Sequence, residues 1–406
     1  MRILFITHIF SDIHVGGEVQ GAWGLSHELA KLGIKIYVVS CFTEIKESKL
    51  HPNIKVYTVP GCQKIPNFTK PYMLKTFFYS LPLIFFKKID IIHLIPTNGP
   101  HPFSRFKLRP FVSTADLPYD YEDKEFLDDI NYDRQKKWEE ISLPQPKYGL
   151  LEKIFNKFSH YFYKIFIPDE KFPRGVDLYA VRETKIIDDL KAKGYKSDFV
   201  FFPMAVNAEK FNLDYKSNIE KDNKAITFLF LGMLSKRKGL HYVIQAFNLL
   251  CQKYKNVKLI IAGEGAPSSE ADFKKLAGDN KKIEFVGKVV GNRRLDYYAV
   301  CDVFVSDALG QFGIYKVHIE AMAMGKPVIL SKKYDTINFE NSGLGISINH
   351  GNIEELSKAM EHFILYPSHI SQFGKNARQF VEKNTNFSQL ALRIRDSYSS
   401  LLLRNS

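Results

Sequence analysis

Apolar residues in this chain come in short unbroken runs rather than in strict alternation. Ile3 to Thr7, Ile34 to Ser40, Ile54 to Val59, Ile89 to Leu94 and Phe111 to Thr114 are such runs. Strands covered by helices on both faces read this way, so the pattern predicts a parallel sheet. Between the first two runs, Val19, Ala22, Trp23, Ser26, Leu29 and Ala30 recur at helical spacing and Gly33 offers a stop, which completes one βαβ unit. Val176 to Val181 and Asp198 to Pro203 read as further strands, with a helix over Glu183 to Ala192 between them.

The polar stretch Asn207 to Lys224 reads as a linker, and a second α/β series follows it. Ile226 to Leu231, Val257 to Ala262, Ile283 to Val286, Val303 to Val305 and Pro327 to Leu330 are its predicted strands. Helices are expected near Gly239 to Lys253, Arg294 to Val300 and Tyr315 to Met324, and a terminal helix over Phe387 to Leu403. A chain of 406 residues also exceeds the size at which one core stops growing. The predicted class is α/β, with two doubly wound Rossmann-like domains facing a cleft. The expected bounds are 1–212, 213–385 and a terminal helix, 386–406, packing back toward the first domain.

The connection Asp120 to Pro173 is the least sheet-like part. Within it Leu151, Ile154, Phe155, Phe158, Phe162, Ile165 and Phe166 recur at helical spacing, with Lys153, Lys157 and Lys164 between them. Two readings stay open, a core-facing helix and a basic aromatic helix lying on an anionic membrane. Phe77-Phe78-Tyr79 to Lys88 divides the same way. Lys87-Lys88 interrupts the longest apolar run short of the ~18 to 20 residues that a membrane span needs.

A formal charge of +13 points to an anionic partner: nucleotide phosphates, an acidic membrane surface or nucleic acid. Nucleic acid is set aside, since no zinc-finger spacing, aromatic RNP-like strand or basic-zipper heptad occurs. The four cysteines, Cys41, Cys62, Cys251 and Cys301, form no CxxC pair and are expected to be buried reduced thiols. The apolar opening is too short for a signal-peptide core. A cytoplasmic protein, peripheral at the inner face of the membrane where it meets lipid, is the expected localisation.

Ligands of open α/β sheets bind beyond the carboxyl ends of the strands. After the first strand, a loop ends in Gly16-Gly17 at a helix start, where backbone N–H groups favour anions. The first strand of the second domain hands over to a helix through Lys236-Arg237-Lys238-Gly239, which puts three cations where a diphosphate could sit. Farther on, Val303 to Val305 leads through a glycine-containing loop to a helix with Glu320 among small residues. A carboxylate placed there could accept ribose hydroxyls.

These segments resemble the retaining GT-B glycosyltransferases of the "group one" type, related to glycogen and sucrose-phosphate synthases. The resemblance spans most of the chain and is densest over 226–332, in FLGMLSKRKGLHYVIQAF, LIIAGEG, YYAVCDVFVS and EAMAMGKPVI. ELAKLGIKIYVVS, IDIIH and FPMAVNAEKF occupy matching places in the first half. The resemblance implies transfer of a sugar from a nucleotide-sugar donor to a hydroxyl acceptor, with retention, no metal and no cofactor. It implies Lys238 on the donor diphosphate and Glu320 on the ribose. It also implies the Gly313 and Ile314 amides on the distal phosphate and sugar, and Gly16 and Gly17 closing over the phosphates.

Three positions depart from the family pattern. Met233 stands where an arginine is usual, leaving Lys236 or Arg237 as second cation. Gly310 or Gln311 replaces an acidic residue, with two extra residues between Gly313 and Glu320. Ala115 replaces the histidine of a Thr-X-His-Asp turn, while Asp116 remains as a candidate acid/base or acceptor-orienting group. These losses keep a second reading open, a catalytically weakened relative that binds a nucleotide sugar or a partner enzyme at the membrane. An epimerase on the same fold is a third.

Overall fold

The computed structural model describes residues 1–12, 17–45, 50–62, 69–97, 101–115, 150–167, 174–182, 184–308, 314–332, 339 and 341–405. The apolar runs of the first half become β1 (Arg2–Ser11), β2 (Lys35–Glu44), β3 (Ile54–Thr58), β4 (Ile91–Thr97), β5 (Phe111–Ala115), β6 (Leu178–Val181) and β7 (Asp198–Phe201). They form one parallel sheet in the order β3-β2-β1-β4-β5-β6-β7. Consecutive Ile3, Leu4, Phe5 and Ile6 are all fully buried, as a strand covered on both faces requires. β1 and β2 run past the predicted apolar stretches because their parallel ladder continues to Ser11↔Glu44.

The helices of this unit are α1 (Gly17–Lys31), α2 (Lys70–Phe86), α3 (Leu150–Phe166) and α4 (Thr184–Ala192). α2 is pinned through a buried polar contact, since His101 Nε2 meets Thr76 Oγ1 at 3.2 Å. His101 Nδ1 accepts the Phe103 N–H, so the proton resides on Nε2. Cys41 and Cys62 are joined in a disulfide, which corrects the expectation of reduced thiols. The pairing was hidden by a sequence separation of 21, although β2 and β3 are neighbours in the sheet.

The second unit holds 204–386 of the described chain. Its strands are β8 (Ile226–Leu231), β9 (Val257–Ala262), β10 (Ile283–Gly287), β11 (Val303–Val305), β12 (Val328–Ser331) and β13 (Gly345–Ile348). They pair in parallel in the order β10-β9-β8-β11-β12-β13. Around them lie α5 (Leu240–Lys253), α6 (Pro267–Ala277), α7 (Arg293–Val300), α8 (Lys316–Ala323), α9 (Ile353–Leu365) and α10 (Ser368–Asn384). The stretch 207–224, read as a linker, is fastened to this unit. The Tyr215 hydroxyl and Asn218 N–H both donate to Asp296, and Lys221 pairs with Asp302 at 2.6 Å.

The final helix, α11 (Phe387–Asn405), belongs to the first unit and packs on α1. Gly24 of α1 leaves the space that the Phe387 ring fills, so a Cβ there would overlap the ring. The buried Tyr398 hydroxyl bonds His93 Nδ1, whose Nε2 meets Thr114 Oγ1 at 2.9 Å. Arg404 closes the contact on Asp198 at 2.6 Å.

Gly24→Val is therefore expected to destabilise the first unit by about 1–3 kcal/mol, through overpacking against Phe387. Urea unfolding followed by fluorescence measures this, and an unchanged midpoint contradicts the packing described. His93 and His101 supply a pH dependence: burial lowers both pKa values from 6.5 to about 3. Below about 6.5 the unfolded chain binds protons at both rings and the folded chain does not, so this stability is full above that pH and is lost as pH falls toward about 3. His101→Gln should flatten the fall in urea midpoint between about pH 7 and about pH 5.

Candidate functional site

β8 leads through Gly232 to Ser235 and then to a single 3-10 turn, Lys236–Lys238. Gly239 ends that turn with φ 70°, and its α-carbon lies so close to the Asp307 carbonyl that any side chain would collide with it. The basic turn is thereby wedged against the exit of β11. Asp307 is itself fixed, fully buried, with Oδ1 on His350 Nδ1 at 3.0 Å and Oδ2 accepting the Gly351 N–H at 2.8 Å. Of the three cations Lys236 is exposed, whereas Arg237 and Lys238 are half-buried.

Lys238 places its ammonium 3.6 Å from the centre of the Tyr315 ring, a cation–π contact at the residue that precedes α8. The Tyr315 N–H donates to His318 Nδ1 at 3.1 Å, so His318 carries its proton on Nε2. That N–H is buried and has no partner among the described residues. Burial, aided by the Lys238 charge, lowers the His318 pKa to about 3, so the ring is a neutral donor. Ser235 Oγ and Ser331 Oγ are likewise buried without partners among the described residues, one after β8 and the other at the end of β12. Each such orphan costs about 1–3 kcal/mol until something bonds it. All three stand at the carboxyl-terminal edge of one parallel sheet, where ligands of such sheets bind.

Glu320 lies in the middle of α8 and is fully buried. A bare carboxylate is untenable there, and α7 supplies the compensation. Arg294 Nη1 reaches Oε1 at 2.6 Å and Oε2 at 2.7 Å, and the Tyr298 hydroxyl donates to Oε2 at 3.0 Å. Lys316, one helical turn before Glu320, stands 3.6 Å from Oε1. Burial lowers the Lys316 pKa to about 8, with the Glu320 charge acting in the opposite direction. Burial followed by the Glu320 charge raises that of Tyr298. Two cations against one carboxylate leave this cluster with a positive surplus.

The structure thus brings Lys236, Arg237, Lys238, Ile314 and Glu320 to one unit, around the start of α8. Ile314 is half-buried against the core beneath α8. Gly17 opens α1 in the other unit. Gly16, Asp116, Gln311 and Gly313 lie outside the described residues. Arg294, Tyr298, Lys316 and His318 were not anticipated as site residues. The i,i+4 spacing of Lys316 to Glu320 and of Arg294 to Tyr298 was a usable sign.

Residues 212–380 match the family described as Glycosyl transferases group 1. The alpha-monoglucosyldiacylglycerol synthase of Acholeplasma laidlawii is 23% identical over 396 residues, covering 91% of this chain and 90% of that protein. A glycosyltransferase from Rickettsia africae ESF-5 superimposes with a TM-score of 0.69 at 16% identity, over 100% of this chain and 99% of that one. HepE of Anabaena, solved in complex with UDP-glucose, gives a TM-score of 0.61 at 15% identity, over 98% and 100% of the two chains. At these identities the two solved structures speak for the fold. The two parallel sheets with their returning C-terminal helix are therefore a GT-B fold, and residues 212–380 resemble the Glycosyl transferases group 1 family.

Proposed function

We propose that this glycosyltransferase moves a hexose from a nucleotide-sugar donor to a hydroxyl acceptor, with retention and without a metal. The observation that carries the reading is the row of buried, unpartnered polar atoms, Ser235 Oγ, His318 Nε2 and Ser331 Oγ, beside a surplus of positive charge. A diphosphate with its attached sugar offers both the negative charge and the hydrogen-bonding oxygens that this edge lacks. A UDP-sugar is the first donor to test, because HepE of Anabaena was solved with UDP-glucose.

In the proposed reaction the anomeric C–O bond breaks and the nucleoside diphosphate departs. The acceptor oxygen bonds to the anomeric carbon and its proton passes to a departing phosphate oxygen, with Asp116 as the alternative base. Lys238 meets the growing charge, supported by Lys236, Arg237 and the Gly313 and Ile314 amides. The donor is assigned to 213–385 and the acceptor to 1–212, with Gly16, Gly17 and Gln311 as further candidate donor-binding residues. Glu320 is assigned to the ribose, whose hydroxyl would share the carboxylate with Arg294, Tyr298 and Lys316.

A weakened relative that binds the donor without turnover is the second reading, favoured by Met233 at the place of the usual arginine. Product formation decides between them. Saturable UDP-sugar binding with no transfer or hydrolysis across an acceptor panel of glycans, lipid-linked sugars and small alcohols supports the second.

Lys238→Ala should lower kcat/KM by about 10²- to 10³-fold, the size of effect seen when one group stabilising transition-state charge is removed. The melting temperature of the free protein should fall only slightly, by the loss of the Lys238–Tyr315 contact. Wild-type turnover in that variant rules out the assigned role. Arg294→Leu should destabilise the second unit by about 3–5 kcal/mol, because it strands a buried carboxylate. The double variant Arg294→Leu/Glu320→Leu should recover most of that loss yet fail to bind donor. Denaturant unfolding and calorimetric titration with UDP-glucose read the two effects separately.

A further inference from the structure

We propose that the outer side of α3 docks on the surface of an anionic lipid bilayer. Three stripes run along this helix. Ser159 and Tyr163 are buried, with half-buried Phe155 and Phe162 beside them on the first unit's core. α2 backs this stripe, with Lys75 Nζ 5.4 Å from the Phe155 ring. The helix therefore has a complete core contact on one side.

A second stripe has no place in that contact. Ile154, Phe158, Tyr161 and Ile165 follow i, i+4, i+7, i+11, and they are 56%, 50%, 52% and 70% exposed. One residue earlier at every step stand Lys153, Lys157, His160 and Lys164, all exposed, which form a third stripe alongside. Glu152 is the only acidic residue in the helix sequence. Phe85 and Phe86, at the end of neighbouring α2, are exposed by 58% and 83%.

Apolar side chains flanked by a row of lysines match a bilayer surface, where rings enter the acyl boundary and ammonium groups meet lipid phosphates. Among the described residues no helix is long and apolar enough to cross a membrane, so the helix would lie on the surface rather than span it. The lysine row selects an anionic lipid surface over a neutral one. The inference stands on surface residues of the first unit and is independent of the donor assignment.

Co-sedimentation of the full-length protein with vesicles tests it. Retention is expected on phosphatidylcholine mixed with phosphatidylglycerol but not on phosphatidylcholine alone. It should weaken as salt rises from about 0.1 M to about 1 M and the screening length contracts from about 10 Å to about 3 Å. The triple variant Lys153→Gln/Lys157→Gln/Lys164→Gln should lose about a hundredfold in vesicle affinity, at roughly fivefold per lysine. Phe158→Ser/Ile165→Ser should lose about tenfold, with the melting temperature unchanged because both side chains face water. Equal retention on neutral vesicles, or variants that bind like wild type, would overturn the proposal. So would self-association in lipid-free solution that Phe158→Ser abolishes, which would make this face an interface between copies.

Discussion

A carboxylate with no exposed surface cannot remain ionised without cations, and Glu320 sets this condition at the centre of the second unit. Arg294 and Tyr298 answer it from α7 and Lys316 from the first turn of α8, so one buried charge draws two helices into a fixed relation. The small residues around it act in the same direction. Ala321 and Ala323 are fully buried, which lets α8 lie close to the sheet. Its first turn then reaches the Lys236–Lys238 turn, with Tyr315 under the Lys238 ammonium. The Gly239 contact with Asp307 fixes the other side of that meeting. The position of the basic turn thus follows from close packing and charge compensation rather than from the lysines themselves.

The first unit solves a different problem with the same kind of device. Two of its buried polar groups are neutral and hydrogen-bonded: His93 between Thr114 and Tyr398, and His101 between Thr76 and the Phe103 N–H. Neutral pairs need no counter-charge, so they can sit wholly buried and orient α2 and α11 on the sheet. Tyr398 is the telling case, because a helix at the far end of the chain supplies the partner for a histidine of β4. The C-terminal helix is as much a part of that core as any strand.

The sheets were legible because parallel strands buried on both faces leave unbroken apolar runs, and the predicted strands of both halves lie on observed ones. β13 was missed: Gly345 to Ile348 is four residues long, begins with glycine and carries a serine, too little to stand out from a loop. The Cys41–Cys62 bond was missed because spacing along the chain says nothing about neighbouring strands. Within the candidate site, Lys238 and Glu320 could be read from motif likeness, but the partners of Glu320 could not. Arg294 is separated from Glu320 by 26 residues and lies on another helix, so only the fold brings them together. His318 looked like one more position of a short helix, and its unpaired Nε2 emerges only when the packing around it is known.

Met233 makes a related point about charge. A departing diphosphate requires positive charge at the strand ends, and the requirement concerns location rather than a particular residue. At the usual arginine place this chain has a thioether, yet Arg294 and Lys316 bring two cations to the same edge from α7 and α8. One of them is offset by Glu320, which leaves one positive charge beyond Lys238, the number that an arginine at 233 would have supplied. On the proposed reading, the chain has moved a cation rather than lost it.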